Sequence, residues 1–95
     1  MIHPIHRVMS VQIIGEYRLR LSFEDNTTQD IDFRPILRGK LFGPLRDLDY
    51  FNQVKVDPEA HTIVWPNGAD FDPAMLHNWP QCEAAMIDLA SSWKS

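Results

Sequence analysis

Two carboxylates, Asp70 and Asp72, flank Phe71 in the run Thr62-Ile-Val-Trp-Pro-Asn-Gly-Ala-Asp-Phe-Asp-Pro-Ala-Met-Leu-His77. Paired acids at this spacing are what acid–base chemistry or cation binding employs. Nothing around them supplies the fixed ligand positions that a calcium loop needs. Asp72 stands before Pro73, which reads as a helix start: the carboxylate accepts from free backbone N–H groups, and proline at the first helical position forfeits no bond. Asn67-Gly68 reads as a turn pair. Asp70 is left without a structural assignment, with Trp65 behind it. Trp65, Asn67, Asp70 and His77 therefore form one candidate mouth for a small ligand or a metal ion. The competing interpretation is a local turn, and a tryptophan packed into the corner. A tryptophan left partly exposed beside Asn67 and Asp70 would instead have the character of a binding hot spot.

The remaining chemistry-bearing residues are scattered. His3 and His6 could share a metal only if Asp or Glu completed the set, and the sequence clusters no such ligands nearby. His61 and His77 are isolated, so no metal and no cofactor is expected. Cys82 falls on the apolar stripe of a helix, the setting of an inert thiol. Gly39 and Gly43 make no phosphate loop, and no serine sits in a nucleophile elbow. A non-enzymatic protein is the expectation. Arg18 and Arg20 project from one strand face and, with Arg34, could make a basic patch for nucleic acid. Asp30 and Asp32 on the neighbouring strand would partly neutralise it.

The elements that must position these residues follow from periodicity. Residues from Ile5 to Ile14 contain a first strand, with Met9, Val11 and Ile13 the more uniformly apolar set and so its expected core face. Gly15-Glu16 suits the two central positions of a tight hairpin turn. Tyr17, Leu19, Leu21 and Phe23 alternate with Arg18, Arg20 and Ser22. Glu24 to Thr27 is a polar turn. A third strand runs from Thr28 to Phe33, with Ile31 and Phe33 inward. Arg34-Pro35 ends that strand. The segment from Ile36 to Leu45 reads as irregular, and Pro44 to Phe51 as a short helix. A second hairpin pairs Gln53–Val56 with Thr62–Trp65 across Asp57–His61. From Pro80 onward Cys82, Ala85, Met86, Leu89, Ala90 and Trp93 recur by threes and fours, an amphipathic helix. The expected architecture is α+β: an antiparallel sheet of about five strands, a meander plus a hairpin, with helices packed on one face.

Size and charge bound the function. Ninety-five residues make one domain. A net charge of -4 argues against a dedicated nucleic-acid binder, whose surface is basic. One cysteine fits a reducing compartment, and neither a signal peptide nor an apolar run of membrane-crossing length is legible, so a cytoplasmic protein is expected.

Three runs carry a resemblance: Phe33-Arg-Pro-Ile-Leu, Leu41-Phe-Gly-Pro-Leu-Arg-Asp-Leu-Asp-Tyr-Phe51, and Thr62 to Leu76 with its Trp-Pro-Asn-Gly-Ala-Asp core. Over Val8 to Leu76 the chain resembles the bacterial domain of unknown function 2442 family. The resemblance implies a compact α+β domain and brings no catalytic residues. It also implies either a standalone form or one followed by a helix-turn-helix domain. Some members are encoded beside a second small protein, as in toxin–antitoxin pairs. With no helix-turn-helix after residue 95, the standalone form is expected. The leading expectation is then a protein-interaction module, antitoxin-like, whose partner is another small protein or a second copy of the chain.

Overall fold

The computed structural model describes residues 6–92. Three antiparallel strands, β1 (Val8–Gly15), β2 (Arg18–Phe23) and β3 (Thr28–Asp32), form a meander in the order β1-β2-β3. Two short strands, β4 (Lys55–Val56) and β5 (Ile63–Val64), pair as a separate hairpin. Helical turns fill the connections: α1 (Gly39–Phe42), α2 (Leu48–Phe51), α3 (Pro73–His77) and the longer α4 (Trp79–Ser91). The α+β architecture, with five strands in all, matches the expectation. Among the described residues the hairpin shares no ladder with the meander, and Val8 N–H donates across to the His61 carbonyl at 2.8 Å.

Alternation in β2 sends Leu19, Leu21 and Phe23 inward, where all three are buried. Ile31 from β3 and Phe33 just beyond it join them. Each such side chain contributes about 1.5–3 kcal/mol by leaving water. Phe33 is the hub, with the rings of Phe51, Phe71, Trp79 and Trp65 all within 6.2 Å of its own. Asp72 accepts a hydrogen bond from Ala74 N–H at 2.9 Å, so α3 begins on the expected Asp-Pro cap.

β1 departs from its expected face. Register shifts fall between Val8 and Ser10 and between Ile13 and Gly15. The first shift turns Val8 into the core and leaves Met9 58% exposed. Val11 and Ile13 lie opposite Leu21 and Leu19, as expected for the core face, but Ile13 is 46% exposed.

The first turn also differs: its central residues are Glu16 and Tyr17, and Tyr17 takes a left-handed φ of 59°. That strain on a bulky residue is offset by the edge contact of its ring with Phe51 and by its hydroxyl, which donates to the Arg46 carbonyl.

Two helices differ as well. Pro44 to Phe51 is not continuous, because Asp47 is extended at ψ 113° and caps α2 through Asp49 N–H. The segment expected to be irregular contains α1. In α4 the inward stripe is Trp79, Cys82, Met86 and Ala90, whereas Ala85 and Leu89 face outward, Leu89 being 51% exposed. Trp93 and the start of the expected first strand lie outside the described residues.

Candidate functional site

The expected mouth does not assemble. Trp65 is only 2% exposed. Its indole N–H donates to the Phe51 carbonyl at 2.8 Å, and Phe33, Phe51 and Phe71 surround its ring. No ligand reaches it, so Trp65 is part of the core and not a hot spot. Asn67 is a clamp: its amide donates to the Leu41 carbonyl at 2.9 Å and its side-chain oxygen accepts from Ala69 N–H at 3.0 Å. Gly68, at φ 88°, completes the turn that a side chain would strain. Asp70 is exposed and forms a backbone bridge with Val64, and among the described residues its carboxylate holds no partner. His77 points elsewhere. None of its ring or hydrogen-bond contacts is with Trp65, Asn67 or Asp70.

The arginines are mostly spoken for. Arg20 grips Asp30 across the strands with two bonds of 2.8 and 3.0 Å, and the Arg20 guanidinium holds the Asp30 carboxyl below the usual carboxylate range. Arg34 reaches Glu16 at 3.4 Å and lies over the Tyr17 ring. Arg18 stands opposite Asp32 in the ladder. The neutralisation expected from Asp30 is present, and these pairs lend a nucleic-acid patch no support.

A different constellation is present. His6 precedes β1, Asp25 and Thr27 lie in the β2–β3 turn, and His77 ends α3. One oxygen of Asp25 is fixed by Thr27, whose hydroxyl donates to it at 2.6 Å and whose backbone N–H donates at 3.1 Å. The other oxygen lies 2.7 Å from Nε2 of His77. The Thr27 hydroxyl first, and then the His77 ring, lower the Asp25 carboxyl from 3.8 to about 2. His6 stacks on His77, ring centres 3.9 Å apart, and Phe23 meets the His77 ring edge-on. His6, Asp25 and His77 each bring a ligand atom within 4.8 Å of the others. A cavity of about 400 Å³ borders the cluster, lined by His6, Arg7, Ala60, His61, Asp72, Pro73 and Ala74.

The cluster is not a nucleophilic triad. Such a relay places the acid on one imidazole nitrogen and the nucleophile on the other. Here Asp25 and Thr27 both face Nε2, and the Thr27 proton is already given to Asp25. In the sequence, the histidine near His6 is His3, which lies outside the described residues. His77 is isolated along the chain, and Asp25 is brought to it from 52 positions away.

The fold is a small α+β domain with an aromatic core, an outer β1 edge that carries no paired strand among the described residues, and a histidine–carboxylate cluster at the end of α3. The chain belongs to the family described as protein of unknown function (DUF2442), whose model matches residues 8–80. No curated protein and no solved structure matches it. Among the described residues, no helix is long and apolar enough to cross a membrane.

Proposed function

We propose that the chain is a protein-interaction module that receives a partner strand along the free edge of β1. The observation that carries this reading is the contrast between the two edges of the meander. β3 bears Asp30 and Asp32 in five residues, and inserted charge is how native sheets guard an edge against pairing. β1, Val8-Met-Ser-Val-Gln-Ile-Ile-Gly15, holds no charge and no proline over eight residues and exposes Met9, Ile13 and Ile14. Although β4 approaches β1, among the described residues the outer edge makes only the Val8–His61 backbone bond. The uncharged stretch between the two register shifts, Ser10 to Ile13, suits strand addition, in which main-chain bonds give affinity and alternate side chains give specificity. The antitoxin-like role belongs to the same reading: the partner is a second small protein encoded beside this one.

Co-expression of the untagged neighbouring gene product with the tagged chain tests it. The wild type should retain that protein stoichiometrically, and Ile13→Lys should release it. Because Ile13 is half-exposed, the variant keeps its fold, which its circular dichroism spectrum would verify. Failure of the wild type to retain the protein, or full retention by Ile13→Lys, counts against the proposal.

A further inference from the structure

We infer that His6, Asp25 and His77 form a binding site for a divalent transition-metal ion of the Zn²⁺ class. Two imidazoles and one carboxylate are the donor set that Zn²⁺ accepts, and three protein ligands leave a fourth position open. Calcium and magnesium, which require mostly oxygen ligands, do not suit it.

The three donors already lie within 4.8 Å of one another. The surroundings of His77 and Asp25 are those of oriented ligands. Metal-binding histidines donate their second ring N–H to an oxygen, and ligating carboxylates are themselves hydrogen-bonded. The Asn78 amide donates to the Ala74 carbonyl at 3.0 Å, which turns its side-chain oxygen toward Nδ1 of His77 at 3.5 Å. When a metal takes Nε2, the ring proton resides on Nδ1, beside that oxygen. Thr27 occupies one oxygen of Asp25 and leaves the other facing that same Nε2.

In the free protein Nε2 of His77 lies 2.7 Å from an Asp25 oxygen, a hydrogen bond that the metal would replace. Binding also opens the stack, since an ion must lie near the plane of each ring it ligates, and rings stacked 3.9 Å apart and inclined by 19° share no such position. His6 lines the neighbouring cavity as well, so a water or an entering donor can reach the fourth position from there. The three ligands come from the entry to β1, the β2–β3 turn and α3, so the ion would tie these segments together and stabilise the native state by linkage.

The test is calorimetric titration of the full chain with ZnCl₂, after chelator treatment and without a polyhistidine tag, followed by thermal melts. One ion per chain and a raised melting temperature are expected, with no response to Ca²⁺ or Mg²⁺. His77→Gln and Asp25→Asn should each weaken binding by about tenfold or more, and Asn78→Ala by about tenfold, the scale of second-layer effects on metal sites. Asn78→Ala serves if the other two disturb the fold, and Asp70→Asn, an exposed carboxylate that makes no contact with His77, should bind as the wild type does. Absence of saturable Zn²⁺ binding, or binding left intact by both His6→Gln and His77→Gln, would overturn the assignment.

Discussion

Replacing Trp65 by alanine is expected to cost about 3–5 kcal/mol, the range for truncating a buried large aromatic. A 95-residue domain holds roughly 5–14 kcal/mol of net stability, so the variant should stand near its unfolding threshold. Most of the loss is the cavity left among Phe33, Phe51 and Phe71. Little comes from the indole hydrogen bond, because the Phe51 carbonyl that accepts it also receives Val54 N–H at 3.2 Å and is not orphaned. Asp70→Ala, a few residues away on the surface, should stay within about 0.5 kcal/mol. Urea unfolding followed by circular dichroism separates the two. Equal, small effects at both positions would mean that Trp65 is not part of the core.

Phe33→Ala should be at least as damaging, again by about 3–5 kcal/mol. Phe33 is fully buried at the end of β3, where the chain leaves the sheet, and its ring touches aromatic partners from α2, from the corner after β5 and from the start of α4. The sheet and the helical layer meet on this side chain. Phe33→Leu keeps apolar volume and should recover part of the loss. The same urea titration reads both variants. A Phe33→Ala midpoint close to wild type would show that the core closes without the ring.

Much of this arrangement was legible because it is local. The alternation of Leu19, Leu21 and Phe23 dictates an inward face wherever β2 is placed. The Asp72-Pro73 cap and the Asn67-Gly68 turn are chemistry between near neighbours. Cross-strand pairing of Arg20 with Asp30 follows once the meander is drawn.

What escaped was set at long range. The shift that turns Val8 inward and Met9 outward is tied to Val8 bonding His61 from the second hairpin, and nothing near Met9 announces it. Tyr17 holds a left-handed turn because Phe51 and the Arg46 carbonyl, far along the chain, hold its ring and hydroxyl. Local spacing gave no sign that His6, Asp25 and His77 meet, and it drew attention to a corner whose tryptophan is interior. Exposure decided both outcomes, and exposure is a property of the packed chain.

The open edge of β1 is the centre of the functional reading, and amide hydrogen exchange addresses it residue by residue. In the free chain, amides of residues 10–15 that do not bond to β2 should exchange rapidly, while those of β2 are protected by ladders on both sides. Bound to the protein product of the neighbouring gene, the same β1 amides should become strongly protected, with little change along β3. Protection confined to β3, to α4 or to no strand at all, with β1 exchanging as in the free chain, would contradict the account.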